Sequence, residues 1–408
     1  MTSGAGGPRT ARPDKPSEGV HTTVTTTPDG SGTHGPGGTP APATDVVCLG
    51  ESMVTFLPGR PGRLADVPSF DRAIGGAESN VACMLAAAGH RTKWVSRVGA
   101  DGFGDHLVAT IAGYGVDTSA VRRDRDRPTG IYFRTAGDRA TDAHEVAYYR
   151  AGSAASAMSV TTLDTGALQD GRILHLSGIT AALSTDCLDL LRTLTARRPG
   201  RPLVSFDVNH RPGLWRGFPK LSAPPPLSTS FERGRPPEQG GGPIGPRVLL
   251  DLARGADLVF VGEDEARDAW GLDGSRAIRA ALPEPEVLVV KRGAGGVVVF
   301  HDGGPGGATT TVRSLDVEVV AAVGAGDAFA AGFLSATLRG LPLRARARYG
   351  HLFAAAALTV PGDLAAPPGR ALADGLAALD DAAWGKLHLG PGWTVAADRR
   401  AAEEVPSP

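Results

Sequence analysis

Residues 319–333 read VVAAVGAGDAFAAGF, and this stretch decides the fold. Its apolar start predicts a strand that runs into Gly324-Ala325-Gly326, after which Asp327 opens a helix of small residues. Glycines at the start of a helix let a ligand approach the backbone, and the free N–H groups and the helix dipole there favour an anion. The stretch therefore predicts a strand, a turn and a helix that together form an anion site.

Asp327 is a candidate general base in this position. It can accept the proton of a hydroxyl group that is aimed at a phosphate, while the amides of Gly324, Ala325 and Gly326 stabilise the phosphoryl charge. The alternative is that Asp327 only caps the helix, as Asp often does. This segment alone does not decide between the two roles.

A second glycine turn lies far upstream, at Gly75-Gly76-Ala77-Glu78-Ser79-Asn80, and it also enters an apolar helix. Gly75 and Gly76 allow close approach of a ligand, and the amide of Asn80 can both donate and accept hydrogen bonds. These properties suit a polyol. A turn followed by a helix cap is the alternative reading of this segment.

Strand-like and helix-like runs alternate along most of the chain. Short apolar runs such as 46–49, 173–176, 203–206, 258–261 and 287–290 are typical of strands buried on both faces. The intervening runs have helical character, and this rhythm predicts an α/β fold with a doubly wound, mostly parallel sheet. The alternating segments GIYFR (130–134) and EVAYYR (145–150) predict a small β lid, with elements near 52–73 and 129–150.

Composition excludes several classes of protein. The formal net charge of −1 over 408 residues gives no global attraction to nucleic acid or to an anionic membrane. No apolar run is long enough to span a membrane, and the N-terminus lacks the apolar core of a secretory signal. The three cysteines are far apart without metal-ligand spacing, which indicates buried thiols in a reducing compartment, and we expect a cytoplasmic protein.

Two stretches interrupt the pattern. Residues 1–44 contain nine Gly and seven Pro with few large aliphatic residues, and they predict a disordered tail. Residues 217–246 contain eight Pro and six Gly, and we favour a disordered insertion over a functional lid there. The interpretation divides the chain into this tail, a catalytic domain over 45–379 and a C-terminal extension over 380–408.

Together the two glycine segments resemble the signature regions of the PfkB (ribokinase-like) carbohydrate kinases. The likeness continues at Lys291-Arg292-Gly293-Ala294-Gly295-Gly296, which is similar to the K-x-G-x-x-G turn of the family's nucleotide site, and it covers about 45–216 and 247–365. The chain has no G-x-x-x-x-G-K-[ST] motif, and its first strand does not run into G-x-G-x-x-G. The resemblance implies a ribokinase-like fold and an ATP-dependent sugar kinase.

Within the family, several details look like 2-keto-3-deoxygluconate kinases, including Tyr148-Tyr149-Arg150 and the run from Asp207 to Arg211. A keto-acid substrate carries a carboxylate, which a guanidinium can bind with two hydrogen bonds. The resemblance implies a substrate site of Gly75, Gly76, Asn80, Tyr132, Tyr148, Arg150, Arg211, Asp327 and Asp363. It implies a nucleotide site of Asn209, Arg211, Lys291, Gly293, Gly296, Gly324 and Gly326.

The sequence departs from the family at two places. Ala321-Ala322 replaces an Asp-Thr pair whose Asp helps to hold a monovalent cation in the family, so we expect no potassium activation. The usual Asn-x-x-Glu motif reads Gly262-Glu263-Asp264-Glu265, and Glu265 is the candidate residue near Mg²⁺. Mg²⁺ itself is implied by phosphoryl transfer from ATP.

The expected reaction is phosphorylation of 2-keto-3-deoxygluconate to its 6-phosphate by ATP. The nearest alternative is the same fold acting on another sugar, such as fructose, ribose or a related deoxy-keto acid, as in kinases of the fructokinase or ribokinase type. A third reading is a sugar-sensing protein without activity, against which the intact Gly324–Asp327 turn counts. The expected partners are the sugar acid and ATP, without nucleic acid or membrane, and a homo-oligomer is left open.

Overall fold

The computed structural model describes residues 44–60, 62–135, 145–216, 245–301 and 307–395. The strands in chain order are β1 (Thr44–Leu49), β2 (Met53–Pro58), β3 (Phe70–Gly75), β4 (Thr92–Val95), β5 (Arg97–Gly99), β6 (Arg122–Asp124), β7 (Ile131–Arg134), β8 (Val146–Tyr149), β9 (Gly171–Ser177), β10 (Leu203–Asp207), β11 (Leu258–Gly262), β12 (Val287–Lys291), β13 (Val297–Phe300), β14 (Thr309–Val312), β15 (Asp316–Val317) and β16 (His388–Leu389).

The helices alternate with these strands over much of the chain. They are α1 (Ala77–Ala87), α2 (Gly102–Gly113), α3 (Gly178–Ala181), α4 (Thr185–Thr195), α5 (Pro212–Arg216), α6 (Val248–Gly255), α7 (Glu263–Trp270), α8 (Ser275–Ala281), α9 (Ala325–Leu338), α10 (Leu343–Leu358), α11 (Arg370–Ala377) and α12 (Asp381–Trp384). Within the described ranges, none of them combines the length and the apolar character that a membrane span requires.

The main sheet has eight strands in the order β14-β13-β12-β11-β10-β9-β1-β4. The six strands from β12 to β4 pair in parallel, and β13 and β14 extend the sheet antiparallel at one edge. This confirms the predicted α/β class with a large, mostly parallel sheet. The carboxyl ends of the parallel strands meet at one edge, where α/β proteins bind their ligands.

Successive residues of the central strands face opposite sides of the sheet, and both sides are buried. Val46 and Cys48 of β1 belong to the core on the side of α1, α9 and α10. Val47 and Leu49 belong to the core on the side of α4 and α6. Burial on both faces explains why the sequence of these strands is continuously apolar.

A separate four-stranded sheet in the order β3-β2-β7-β8 forms the lid. In β7, Tyr132 and Arg134 are buried, while the Phe133 ring stacks on Phe56 of β2 at 4.8 Å between ring centroids. Phe56 also meets Phe103 of α2 edge-on at 5.8 Å. These aromatic contacts fix one face of the lid, and Tyr132 and Arg134 lie on the other.

The segment before the glycine turn differs from the prediction. Residues 319–323 form no strand, and only Asp316–Val317 pair, in parallel, with His388–Leu389. Val320 is 44% exposed, and its N–H donates to the Leu358 carbonyl at 2.7 Å. The apolar run therefore crosses the end of α10 as an irregular segment, and the Val320 N–H bonds to a helix carbonyl rather than to a strand.

The chain after residue 380 packs into the same unit as far as it is described. Trp384 is 2% exposed, and its indole N–H donates to the Arg313 carbonyl at 3.0 Å. The predicted tail up to residue 43, residues 217–244 of the predicted insertion and residues 396–408 lie outside the described residues.

Candidate active site

A cavity of about 790 Å³ lies between the lid and the carboxyl edge of the main sheet. Its walls combine residues that follow β1 and β10, the end of β12, the lid strands β7 and β8, and the start of α9. The cavity therefore joins the two glycine turns that are far apart in the sequence. Ala322 and Val323, which precede the second turn, also line it.

Gly324 shapes the start of α9. Its φ of 75° lies in the left-handed region, and a Cβ at this position would lie 2.3 Å from the carbonyl oxygen of Asp363. Only glycine fits both conditions without strain. The first helical hydrogen bond runs from the Ala328 N–H to the Gly324 carbonyl at 2.9 Å, so the preceding amides belong to the free end of the helix.

Asp327 is the third residue of α9, and Gly324 is the residue that caps the helix. The Asp327 carboxylate instead faces the first glycine segment, where its Oδ2 accepts a hydrogen bond from Asn80 Nδ2 at 2.8 Å. Burial raises the pKa of Asp327 to about 7, and the charges of Asp207 and Asp363 also raise it, while Asn80 and Arg211 lower it. A carboxyl group with such a pKa can exchange protons near neutral pH.

One end of the cavity carries a compact group of charges. Lys291 Nζ lies 3.1 Å from both carboxylate oxygens of Asp207, which is 3% exposed. Burial lowers the pKa of Lys291, but the charges of Asp207 and Glu265 outweigh it, and the pKa lies above its usual value. Lys291 therefore stays an ammonium group, 3.8 Å from where a Cβ of Gly326 would lie.

Glu265 lies at the same end of the cavity. Its Oε2 accepts from the Gly262 N–H at 2.8 Å, and its Oε1 is 3.6 Å from Arg211 Nη1. Burial raises the pKa of Glu265, and Lys291 lowers it. Arg211 is half-exposed at the cavity wall.

Asn209 is the one residue other than glycine with a positive φ in the described parts of the chain, at 41°. It is 5% exposed, and its Oδ1 has no hydrogen-bond partner within the protein. A strained backbone and a buried polar atom at a cavity wall are typical of a binding site.

The lid contributes a second buried cluster to the cavity wall. Asp363 Oδ2 accepts from the Tyr132 hydroxyl at 2.9 Å, and its Oδ1 accepts from Arg134 Nη2 at 2.8 Å. Burial raises the pKa of Asp363, while Arg134 and Tyr132 lower it. Since the carbonyl of Asp363 touches Gly324, this cluster connects the lid to the start of α9.

Arg150 is held by a second buried pair. Its Nη2 forms an ion pair with Glu51 Oε2, and Ser153 Oγ donates to Glu51 Oε1 at 2.6 Å. The Tyr148 ring lies beside this pair, with the Arg150 guanidinium 5.8 Å from its centroid. The rings of Tyr148 and Tyr132 are 5.5 Å apart, which makes a continuous aromatic wall.

The structure brings nearly all the sequence-predicted residues into this one cavity. Those that line it are Gly75, Gly76, Asn80, Tyr132, Tyr148, Arg150, Asn209, Arg211, Glu265, Lys291, Gly324, Ala325, Gly326, Asp327 and Asp363. Gly293 and Gly296 do not line it. They belong to the turn between β12 and β13, where a Cβ on Gly296 would lie 2.2 Å from the Val312 carbonyl.

Sequence reasoning missed three charged residues of the cavity wall: Glu51, Arg134 and Asp207. Glu51 follows β1 and Asp207 ends β10. Polar residues at the carboxyl ends of buried strands are typical of sites in α/β folds, so this position could have identified both. Arg134 lies in a short alternating strand, where its inward direction could not be read from the sequence.

The carboxylates at the Lys291 end suit a magnesium ion only in part. Asp207 and Glu265 offer the oxygen ligands that Mg²⁺ prefers. Across the ranges that the structure describes, however, no group of three or more His, Cys, Asp or Glu side chains is arranged to hold a metal ion. With a nucleotide bound, phosphate oxygens and water would supply further ligands.

The sheet order, the lid and the cavity at the carboxyl edge define a ribokinase-like α/β protein. The similarity of the chain to known proteins agrees with this fold. Residues 43–224 and 242–368 match the pfkB family of carbohydrate kinases. The chain belongs to this family.

Among its relatives, a 2-dehydro-3-deoxygluconokinase of Bacillus subtilis (strain 168) is 32% identical over 80% of this chain and 93% of its own length. A 2-dehydro-3-deoxygluconokinase of Thermoproteus tenax is 31% identical over 79% of this chain and 91% of its own length. The crystal structure of a PfkB protein from Polaromonas sp. JS666 is 34% identical with a TM-score of 0.66, over 81% of this chain and 99% of that one. A probable chloroplastic fructokinase-6 of Arabidopsis thaliana also matches, at 28% identity over 77% of both chains.

Proposed function

We propose that this carbohydrate kinase transfers the γ-phosphoryl group of ATP to the terminal hydroxyl of 2-keto-3-deoxygluconate, giving the 6-phosphate and ADP. The observation that carries the proposal is the position of Asp327. This carboxyl group has a pKa of about 7 and lies at the amide-rich start of α9, in a cavity shared by the lid and the Lys291 cluster. A base, an anion site and a covered sugar site are the parts that phosphoryl transfer requires.

In this mechanism the sugar lies under the lid with its terminal hydroxyl against Asp327. The carboxylate accepts the hydroxyl proton while the oxygen attacks the γ-phosphorus and the bond to ADP breaks. The amides at the Gly324 turn then stabilise the charge on the transferring group. Asp327 releases the proton when the product leaves, which its pKa allows at neutral pH.

ATP would lie at the Lys291 end. Lys291 gives a fixed positive charge beside Gly326, and Asn209 and Arg211 offer further donors. Glu265 and Asp207 would lie beside a Mg²⁺ ion bound together with the nucleotide. When bound, such an ion would neutralise phosphate charge.

Two observations support a sugar acid as the substrate. Arg134 and Arg150 both line the lid end of the cavity. A carboxylate is the ligand that best satisfies a guanidinium group. Relatives named 2-dehydro-3-deoxygluconokinase agree with this choice.

A neutral sugar such as fructose is the second candidate, and one observation favours it. Each lid arginine is already paired with a carboxylate, Arg134 with Asp363 and Arg150 with Glu51. The lid end therefore carries no excess positive charge from these pairs. A neutral sugar could use the same groups as hydrogen-bond donors and acceptors.

The test is a coupled ADP-release assay with 2-keto-3-deoxygluconate, fructose and ribose, on the wild type and on Arg150→Gln. We expect the sugar acid to be preferred. Loss of a charge-assisted hydrogen bond costs roughly 1.5–3 kcal/mol, so kcat/KM for the acid should fall about tenfold to a hundredfold in the variant. Neutral sugars should be affected much less.

A matched control is Arg339→Gln, which removes an arginine of the Arg339–Asp374 pair outside the cavity. It should leave the ratio of acid to neutral kcat/KM unchanged. If the wild type prefers fructose or ribose, the second candidate function, phosphorylation of a neutral sugar, is the correct one. ADP release that requires no sugar at all would contradict the kinase reaction.

A further inference from the structure

We propose that Glu51 determines how strongly the site prefers a charged sugar over a neutral one, by compensating the charge of Arg150. This inference rests on the proposed function, since it concerns the sugar site of that reaction. Glu51 follows β1 and is 2% exposed, yet it lines the cavity. It is therefore a buried carboxylate within the substrate site rather than a surface charge.

The contacts of Glu51 use both of its oxygens. Oε2 forms the ion pair with Arg150 Nη2, and Oε1 accepts a hydrogen bond from Ser153 Oγ at 2.6 Å. A Cβ on Gly130 would lie 2.9 Å from Glu51 Oε1 and 3.4 Å from Arg150 Cβ. The neighbouring backbone is thus packed closely against the pair, which leaves little room for it to separate.

Another buried carboxyl group lies nearby but has other partners. Glu78 accepts hydrogen bonds from Ser177 Oγ at 2.8 Å and Thr180 Oγ1 at 2.7 Å, both on its Oε1. Glu51 is therefore the carboxylate that pairs directly with Arg150. Its charge acts on whatever ligand group Arg150 meets.

The pair has two opposing effects on a sugar acid. The contact with Glu51 fixes the guanidinium in one orientation, which favours any ligand that bonds to it. The negative charge of Glu51 also weakens the attraction between the guanidinium and a ligand carboxylate. A neutral sugar benefits from the first effect and does not experience the second. Glu51 is thus a specificity-determining residue, and it acts through its own negative charge beside Arg150.

Two substitutions separate charge from geometry. Glu51→Gln keeps the shape and can still accept from Arg150 while its amide donates to Ser153, but the charge is lost. Glu51→Asp keeps the charge and shortens the side chain. We expect Glu51→Gln to raise the ratio of acid to neutral kcat/KM by about tenfold, whereas Glu51→Asp lowers both values and leaves the ratio near that of the wild type.

A binding measurement makes the test independent of the reaction. Gluconate and sorbitol serve as a charged and an uncharged probe, and their dissociation constants are measured on the full chain by competition or calorimetry. We expect Glu51→Gln to raise the affinity for gluconate relative to the affinity for sorbitol. If the wild type proves to phosphorylate only neutral sugars, the proposed function fails, but this gain in relative affinity would still support the role of Glu51.

Loss of one partner of a buried ion pair can prevent folding. The Glu51→Gln substitution is therefore also made in the Arg150→Gln variant, where the ion pair is already absent. In Arg150→Gln the buried Glu51 is left without its cation and should repel a ligand carboxylate. Adding Glu51→Gln removes that repulsion and should again raise the gluconate-to-sorbitol affinity ratio. A ratio that is unchanged or lower after Glu51→Gln, in whichever background folds, would overturn the proposal.

Discussion

The hydrogen bond from Asn80 to Asp327 should set the pH at which the enzyme becomes active. As the proposed base, Asp327 must be ionised to accept a proton, so we expect activity to be full above its pKa and to be lost as the pH falls through about 7. The Asn80 bond, at 2.8 Å, stabilises the ionised form and lowers this pKa. Its removal by Asn80→Leu should therefore move the acidic limb of the profile to higher pH.

The size of the shift follows from the strength of the bond. A hydrogen bond to a charged group is worth about 1.5–3 kcal/mol, and one pH unit corresponds to about 1.4 kcal/mol. Cavity water replaces part of the lost bond, so we expect a shift of about one pH unit. At pH 7 the ionised fraction of Asp327 then falls from about one half to about one tenth, a roughly fivefold loss of kcat/KM.

The assay is kcat/KM for the sugar at saturating ATP from pH 5.5 to 9.5. Asn80→Leu should recover most of its rate above pH 9, apart from a constant factor due to lost sugar contacts. Asp327→Asn, which should lower kcat by about 10²–10⁴, serves as the control that lacks this acidic limb. An acidic limb at the same pH in wild type and Asn80→Leu would refute the assigned coupling.

Three further outcomes are expected. Because Ala321 carries no carboxylate, activity should be the same in potassium-containing and potassium-free buffers of equal ionic strength. Gly324→Ala should lower kcat about 10²-fold or more, since its Cβ would meet the Asp363 carbonyl at 2.3 Å and displace the amides of the turn. Lys291→Met should raise the KM for ATP and lower the free energy of unfolding by about 3–5 kcal/mol, because Asp207 is left buried without its cation.

Each outcome has its own check. Saturable activation by potassium would mean that other groups form a cation site. A normal kcat in Gly324→Ala would show that the amides of the turn do not contribute to catalysis. For Lys291, the double variant with Asp207→Asn should recover stability measured by urea unfolding, and a double variant as unstable as Lys291→Met would contradict the pairing argument.

The α/β class and the mostly parallel sheet could be predicted because the central strands are buried on both faces. That burial produces continuous apolar runs such as Val46–Leu49, and these are visible in the sequence without knowledge of any partner. The prediction of a strand before Gly324 was wrong because strand formation depends on a pairing partner, which a local apolar run does not reveal. A strand exists only where a neighbour can pair with it, and the Leu358 carbonyl at the end of α10 takes that place here.

The site could be predicted only in part. Glycine turns at helix starts have a local signature, and so the turns at Gly75 and Gly324 were found from the sequence. The partners of the lid arginines were not found, because Glu51–Arg150 and Arg134–Asp363 join residues far apart in the chain. Whether an arginine is free or already paired depends on tertiary contacts, which composition and periodicity do not record.

The short pairing of β15 with β16 has a consequence for synthesis of the chain. The segment that leads into the Gly324 turn is held by residues made much later: His388–Leu389 pair with Asp316–Val317, and the indole of Trp384 reaches the Arg313 carbonyl. During translation, the Gly324 turn therefore emerges from the ribosome before the residues that hold the segment leading into it. We expect the nascent chain to become active only after residue 389 has left the ribosome, and we expect a fusion or a cleavage close to that residue to lower the activity.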